Sequence, residues 1–227
     1  MEISVIASGS NGNCCLVEDK GVSVLIDAGK SGRELEKRMN SLGKSLENVD
    51  ACVITHSHSD HVCGAGVISR RYNIPLYVNR FTGNFKIKNL EIKPVLTSHN
   101  VPSSGFVIGK FGLFTDTGMV TPQMETAMKH LNAVLLESNH DVEMLKNGRY
   151  PHFLKNWILS DQGHLSNETA SSLVQSKGNN LSLVLLGHLS GNNNTPLLAS
   201  ECFETHVKRK IDYSVCSRED ASGSWKV

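Results

Sequence analysis

A short apolar segment that ends in a cluster of histidines limits the folds open to this chain. Residues 51–62 read Ala-Cys-Val-Ile-Thr-His-Ser-His-Ser-Asp-His-Val, and the first four of them predict a buried strand. An extended backbone places alternate side chains on one face, so His56 and His58 share a face. The turn that follows brings Asp60 and His61 to the same point. The fold must therefore accommodate four ligand-type side chains where a strand ends.

Two interpretations of this segment compete. The first interpretation is a solvated polar loop, because histidine and aspartate are ordinary on exposed loops. Neutral imidazole and carboxylate are also the ligands that zinc and other divalent transition metals prefer, and two pairs of them in one loop suggest a site for two ions. The spacing HxHxDH is far more specific than a single histidine, which favours the metal site.

One loop cannot complete the coordination of two metal ions, so further ligands should come from other strand ends. His99, Asp116 and His188 each stand at the end of a strand-like run. Any one of them alone is more readily explained as a turn residue. Because all three share this position, the sequence favours a ligand role for each.

Hydrophobic periodicity divides the chain into strands and helices. Three short strands come first and predict an antiparallel meander. No linker, charge block or low-complexity segment divides the chain, which favours one domain over residues 1–227. Its predicted class is α/β, with two mixed sheets packed face to face and helices outside. The predicted strands are 2–7, 14–18, 22–26, 51–54, 76–78, 90–97, 105–108, 111–115, 133–136, 181–186, 213–216 and 224–227. The predicted helices are 32–42, 62–72, one starting at 121–122, 142–146, 152–160, 167–177 and 196–208, with caps at Ser31, Ser166 and Thr195.

Composition limits the partners and the compartment. The chain has 23 Lys and Arg against 22 Asp and Glu, so no global basic field indicates nucleic-acid or membrane binding, although a local patch remains open. No signal peptide is recognisable, and the longest apolar runs are too short to span a bilayer. The six cysteines lack a framework spacing and are interpreted as reduced, mostly buried thiols, which predicts a cytoplasmic protein.

The chain resembles the metallo-β-lactamase fold superfamily over essentially its whole length. The resemblance rests on residues 56–61, on His99, on Asp116 in FTDTG and on His188 in LLGHLS. Within this superfamily the chain resembles the YycJ-type (WalJ) metallohydrolases, through SGSNGNC, TDTG, LLESNHD, GHLSN and HLSGNNNTP. This resemblance implies an αββα sandwich with the metal ions at one edge.

The resemblance also implies two divalent ions, zinc or manganese, and a role for each ligand. One ion would be held by His56, His58 and His99, the other by Asp60, His61 and His188, and Asp116 would bridge them. A hydroxide between two such ions is nucleophilic at neutral pH, because each ion lowers the pKa of bound water. Asp60 and Asp116 are therefore expected to be essential for catalysis.

His164, in GHLSN, admits two interpretations. The first interpretation is a turn residue, because His164 precedes the predicted helix cap Ser166. Ribonuclease Z has a similar segment whose histidine faces the scissile phosphate, and by that resemblance His164 would bind the phosphate and protonate the leaving oxygen. His140 and Asp141 admit three interpretations. They support the site, contact the substrate or cap the next helix, and the sequence does not choose among these roles.

Two turn-rich loops border the metal edge in the resembling family. Composition alone would assign them to ordinary turns. The resemblance implies that their amides and side chains contact phosphate oxygens of the substrate. The expected substrate-binding residues are Ser8, Asn11, Asn13, His164, Ser190, Asn193 and Asn194.

A metal site of this kind does not name its substrate, because the superfamily hydrolyses β-lactams, thioesters, lactones and phosphodiesters. The commonest zinc β-lactamases have cysteine in place of Asp116. The chain also has no room for the tRNA-gripping arm of ribonuclease Z or the inserted domain of ribonuclease J. The YycJ-type resemblance implies a phosphodiesterase that acts on DNA as a 5′-to-3′ exonuclease. The alternatives are a hydrolase of a lactone, thioester or cyclic nucleotide, and a non-catalytic metal-binding module, which the full ligand set disfavours.

Overall fold

The strands of the protein lie in two sheets, as a computed structural model covering residues 1–78 and 81–227 shows. The order is β13-β1-β2-β3-β4-β5 in the first sheet and β12-β11-β10-β9-β8-β7-β6 in the second. The first three strands form the predicted antiparallel meander. The strands are β1 (Glu2–Ala7), β2 (Cys14–Asp19), β3 (Val22–Ile26), β4 (Ala51–Val53), β5 (Leu76–Tyr77), β6 (Phe85–Ile87), β7 (Leu90–Leu96), β8 (Ser104–Ile108), β9 (Phe111–Phe114), β10 (Ala133–Glu137), β11 (Leu183–Gly187), β12 (Asp212–Val215) and β13 (Gly223–Lys226).

The helices cover the outer faces of the two sheets. The predicted caps are confirmed, because Ser31, Ser166 and Thr195 each accept a hydrogen bond from the backbone N–H three residues later. Within the described ranges, the protein has no helix with the length and apolar character needed to cross a membrane. The helices are α1 (Gly32–Ser41), α2 (Ser59–Val62), α3 (Ala65–Tyr72), α4 (Pro122–Met128), α5 (Val142–Asn147), α6 (His152–Ile158), α7 (Asn167–Lys177) and α8 (Pro196–His206), with a 3₁₀ turn at Leu46–Asn48.

Three apolar clusters confirm the αββα arrangement. The central cluster lies between the sheets and takes alternate residues from both, among them Val24 and Phe106. A second cluster joins the outer face of the seven-stranded sheet to α4, α7 and α8. A third joins the outer face of the six-stranded sheet to α1 and α3. The strands β4, β9, β10 and β11 are buried on both faces, which explains their nearly continuous apolar sequences.

One local prediction was wrong, and one strand was missed. The predicted helix over 62–72 is interrupted, because α2 ends at Val62 and α3 begins at Ala65. Gly64 lies in the break; its N–H donates to the Ala28 carbonyl, and a Cβ there would lie 2.1 Å from the Lys30 carbonyl oxygen. The strand β6 was not predicted. It is a three-residue strand at the edge of its sheet, too short to show a clear alternation.

The cysteines match the prediction of mostly buried thiols. All six are free, and four of them are buried. Burial raises the pKa of each of these four thiols, which keeps them protonated and unreactive. The buried cysteines are Cys14, Cys15, Cys52 and Cys216.

Parallel pairing brings several strand ends to one edge of the sandwich. β3 runs parallel to β4, and β10 runs parallel to both β9 and β11, so their carboxyl ends point the same way. Asp27, Asp116 and His188 follow three of these ends with φ of 64°, 55° and 56°. Such left-handed backbone is uncommon outside glycine and clusters at functional sites.

The loop after β3 packs directly against the histidine segment. A Cβ at Gly29 would lie 1.7 Å from the Asp60 carbonyl oxygen. The Gly29 N–H donates to the Asn13 carbonyl over 2.8 Å, and the Asn13 N–H donates to the Asp60 carbonyl over 2.8 Å. These backbone contacts fix the start of α2 against the loop at residues 8–13.

Replacing Gly29 by alanine should therefore destabilise the protein. The added methyl group must displace the Asp60 backbone, and overpacking of this kind costs about 1–3 kcal/mol in the free energy of unfolding. Gly83→Ala is the matched control, because a Cβ at Gly83 meets nothing within 4 Å. Urea unfolding of both variants provides the measurement. Equal stability of the two variants would contradict the proposed packing.

Candidate metal centre

Three groups of ligand atoms overlap at Asp116, at the edge where the strand ends meet. Within each group the ligand atoms lie within 4.8 Å of one another. The groups are His56, His58, His99 and Asp116; Asp60, His61, Asp116 and His188; and Asp116, Glu137, His164 and His188. The fold thus brings together all the residues that the sequence suggested as ligands, and it adds His164 and Glu137 beside them.

In the first group, three imidazole nitrogens face one another. His56 Nε2 lies 3.0 Å from His58 Nδ1, which lies 3.2 Å from His99 Nε2. Burial lowers the pKa of His56 to about 3 and also lowers the pKa of His99, so both rings stay neutral. A cation between the three rings can accept a lone pair from each of these nitrogens.

The two oxygens of the buried Asp116 carboxylate face different groups. Oδ1 lies 4.0 Å from His56 Nε2 and 3.8 Å from His99 Nε2. Oδ2 lies 2.9 Å from His61 Nε2 and 3.6 Å from His188 Nε2. The carboxylate therefore has the position of a bridge between the two groups.

In the second group, buried carboxylates orient the imidazoles. The Nδ1–H of His61 donates to Asp27 Oδ2 over 2.7 Å, and the Nδ1–H of His188 donates to Glu137 Oε1 over 2.8 Å. Both Nε2 atoms consequently face the centre, and Asp60 Oδ2 lies 3.5 Å from each of them. Carboxylates commonly hold metal-binding histidines in this way.

Some of these polar atoms are buried without a hydrogen bond. Among the described residues, Asp116 Oδ2 and His188 Nε2 have no partner with hydrogen-bond geometry. The close approach of His61 Nε2 to Asp116 Oδ2 brings two lone pairs together when Nδ1 holds the ring proton. Orphaned acceptors at such a place are costly unless a cation lies between them. The residues present therefore fit a divalent metal ion.

The electrostatics point the same way. Burial lowers the pKa of His188, but Asp116, Asp60 and Glu137 outweigh burial and raise it to about 10. Burial likewise lowers the pKa of His61, and Asp116 and Asp27 raise it above the ordinary value. The buried carboxylates thus create a strongly negative potential. A divalent ion supplies the compensating charge in place of protons.

Asp27 and Glu137 were missed from the sequence, although both support the site. Asp27 accepts hydrogen bonds from the backbone and hydroxyl of Thr55 as well as from His61. Glu137 is fully buried and accepts from the N–H of Thr117. Each is an acidic residue at the end of a buried strand. Asp116 shares this position, but an acidic residue at a strand end is a weak signal until the ring that it contacts is known.

His164 lies beside Asp116 and Glu137 at the centre. Its Nδ1–H donates to Glu137 Oε1 over 2.7 Å, and Nδ1 lies 3.9 Å from Asp116 Oδ1. The side chain keeps 13% of its surface exposed, so a ligand in the site can reach it. Burial raises the pKa of Glu137, but the charges and hydrogen bonds of His164 and His188 outweigh burial and lower it to about 2. Glu137 is thus an anion that fixes both rings.

The loop at residues 8–13 supports the second group of ligands. Ser8 is buried, and its hydroxyl accepts the backbone N–H of His188 over 2.8 Å. The Asn13 amide donates to His61 Nε2 over 3.0 Å, so it reaches a ligand atom directly. Asn11 is exposed and contacts the Arg218 carbonyl. Of the three, Asn11 is the most open to a substrate, and all three substrate contacts stay predictions.

The loop after His188 makes most of its hydrogen bonds within the protein. The Ser190 hydroxyl accepts the N–H of Asn193. The Asn194 amide donates to the carbonyls of Ser138 and Asn139. Asn193 is 1% exposed, and its side-chain oxygen has no partner among the described residues. These three residues shape the wall of the site, and their contact with a substrate stays a prediction.

His140 and Asp141 differ in their surroundings. Asp141 caps α5, because its side chain accepts the N–H of Met144 over 2.7 Å. His140 is 1% exposed, and neither ring nitrogen has a hydrogen-bond partner among the described residues. Burial lowers the pKa of His140 to about 4, so the ring is neutral. His140 belongs to none of the three ligand groups.

A cleft opens from the first group of ligands toward solvent. Its volume is about 1020 Å³, and His56 and His99 line its inner end. Val78 and Leu96, which are 56% and 54% exposed, lie at its outer walls. A substrate larger than a small ester can therefore reach the centre.

The sequence and the structure both have known relatives. A family profile, Metallo-beta-lactamase superfamily, matches residues 7–126. The chain is 36% identical to exodeoxyribonuclease WalJ of Streptococcus pneumoniae, over 86% of this chain and 84% of that protein. It is 35% identical to exodeoxyribonuclease YycJ of Bacillus anthracis, over 88% and 86%.

The solved structures include the same fold. The metallo-beta-lactamase fold protein YhfI from Bacillus subtilis matches 99% of both chains with a TM-score of 0.74 and 15% sequence identity. At this identity the likeness concerns the fold alone. The match to the family profile and the identity to the two exodeoxyribonucleases establish the family. The chain belongs to the metallo-β-lactamase superfamily.

Proposed function

We propose that this protein is a metal-dependent exodeoxyribonuclease that degrades DNA from the 5′ end. The observation that carries the proposal is the convergence of three groups of metal-ligating atoms on one buried carboxylate, Asp116. The names of the two relatives aligned along most of the chain support DNA as the substrate. They do not favour the small-molecule alternative. The proposal includes a single domain over residues 1–227 and action in the cytoplasm.

Two divalent ions, zinc or manganese, are part of the proposal. When bound, such ions polarise a phosphodiester and lower the pKa of water enough to supply a nucleophile at neutral pH. The two Asp116 oxygens face different ligand groups, which supports a bridging role. The proposed ligands are His56, His58 and His99 for one ion, Asp60, His61 and His188 for the other, and Asp116 for both.

His164 is proposed to act on the phosphate rather than on the ions. With its Nδ1–H donated to Glu137, the ring acts through Nε2 in its imidazolium form, in which Nε2–H donates to a non-bridging oxygen or passes its proton to the leaving oxygen. Glu137 keeps the ring in that orientation and also holds His188. One buried carboxylate thereby couples the position of a ligand to that of the proposed proton donor.

Substrate specificity tests the function directly. The metal-loaded protein should shorten 5′-labelled single-stranded DNA, and a chelator should stop the reaction. The same preparation is compared on RNA, bis-p-nitrophenyl phosphate, a homoserine lactone and a glutathione thioester. Asp60→Ala and Asp116→Ala should reduce DNA turnover to background, because the buried ligand set is broken. Asp212→Ala, which removes an exposed carboxylate, is the matched control.

Two outcomes would count against the proposal. Full DNA turnover in Asp60→Ala or Asp116→Ala, with unchanged metal content, would place the active centre elsewhere. Turnover of the lactone or thioester without turnover of DNA would make the protein a small-molecule hydrolase.

Removing the His164 ring should slow the chemistry while sparing the metal centre. We expect His164→Ala to lower phosphodiester turnover by about 10²–10³-fold, as positioned donors to a charged transition state typically contribute. Metal content and melting temperature are measured in the same preparation. His130→Ala, at an exposed turn, is the control. Turnover within about threefold of the unsubstituted protein would remove His164 from the mechanism, because general acid–base groups usually contribute about 10²-fold or more.

A further inference from the structure

One segment of the chain departs sharply from the balanced overall charge. Residues 144–160 contain Lys146, Arg149 and Lys155 and no Asp or Glu, although Asp141, Glu143 and Asp161 flank them on either side. The same segment contains Tyr150, Phe153 and Trp157, three of the thirteen aromatic residues, as well as His152. Cations interleaved with aromatic rings are typical of surfaces that bind single-stranded nucleic acid.

The segment lies along the metal centre. At one end, the Tyr150 hydroxyl accepts a hydrogen bond from Asn192 over 2.8 Å, in the loop that follows the ligand His188. At the other end, the Trp157 ring centroid lies 6.0 Å from that of His99 and 5.5 Å from that of His164. The segment therefore borders the centre from one ligand loop to another.

Its aromatic rings are open to solvent. Phe153 is 75% exposed, and Trp157 is partly exposed. They stand four residues apart in α6 and so lie on one face of the helix. Neither ring belongs to any of the three apolar clusters formed by the described residues. Core packing thus accounts neither for Trp157 beside the centre nor for Phe153 one turn before it in α6.

The cations lie where a phosphate backbone can reach them. The Lys146 side chain is 55% exposed, although it lies 3.2 Å from Glu143, and Arg149 is exposed. The Lys155 ammonium donates to the backbone carbonyl of Lys146 over 2.7 Å, which holds Lys155 against the end of α5. This local positive charge complements the DNA backbone, whose phosphates dominate the affinity of such interfaces.

We propose that residues 144–160 bind the DNA strand next to the cleavage site. Phe153 and Trp157 stack on the bases that flank the scissile phosphate, and Lys146, Arg149 and Lys155 bind neighbouring phosphates. This inference rests on the proposed nuclease function and deepens it. An exonuclease must accept every base in turn, and stacking suits that need because every base presents a π-face.

Fluorescence of Trp157 tests the stacking without relying on turnover. The chain has two tryptophans, so Trp225→Phe leaves Trp157 as the single indole. The metal-loaded variant is titrated with a labelled eight-residue thymidine strand with cleavage-resistant phosphorothioate linkages. Trp157 emission should be quenched over the same concentrations at which the anisotropy of the label rises. An abasic strand of equal length should bind more weakly and leave the emission unchanged.

Substitutions that keep an apolar side chain separate stacking from general hydrophobic contact. Phe153→Leu and Trp157→Leu should each raise the Kd for the thymidine strand by about fivefold or more. Val67→Ala, at another partly exposed apolar residue, should change the Kd by less than about twofold, in line with ordinary surface substitutions.

Four results would overturn the inference. Binding seen by anisotropy without quenching of Trp157, or equally tight binding of the abasic strand, would remove the stacking and leave the nuclease function intact. A dimer that Phe153→Leu converts to monomers with no change in the Kd for DNA would assign this face to a second copy of the chain. If the unsubstituted protein, which keeps both tryptophans, does not bind the strand, the proposed function itself is contradicted.

Discussion

The buried carboxylate of Asp116 is the constraint on which the rest of the site depends. Its oxygens face four imidazoles from three segments of the chain, and one oxygen is left without a hydrogen bond among the described residues. Burying such a charge is very costly unless opposite charge lies beside it. Protons on His61 and His188 can supply part of that positive charge. Divalent cations can supply all of it while the two rings stay neutral and act as ligands. The ligand geometry, the raised histidine pKa values and the proposed chemistry all follow from this one need.

The sandwich meets this need by gathering parallel strand ends at one edge. Side chains from both sheets then converge without long loops, and backbone contacts such as that of Gly29 with Asp60 hold the segments together. Asp27, Asp116 and His188 adopt left-handed backbone there, which costs of the order of 1–3 kcal/mol for each residue. The large apolar core between and outside the sheets offsets this strain.

Much of this could be predicted from the sequence, for identifiable reasons. The HxHxDH segment and the apolar runs that end in His99, Asp116 and His188 are local signals. The two-sheet class and the set of clustered ligand-type residues could therefore be predicted. Asp27 and Glu137 were missed because a lone acidic residue after a strand is ambiguous until the partner ring is placed. The break at Gly64 and the strand β6 depend on tertiary packing that periodicity does not record. The DNA-binding role proposed for α6 could be inferred only from the position of this helix beside His99 and His164.

Anomalous scattering from crystals of the metal-loaded protein tests the central claim most directly. The account predicts two anomalous peaks, one among His56, His58 and His99 and one among Asp60, His61 and His188, with the Asp116 carboxylate between them. Data collected on either side of the zinc and manganese absorption edges would also identify the metal. A single peak after full loading, or peaks not in contact with Asp116, would contradict the claim that this carboxylate bridges two ions.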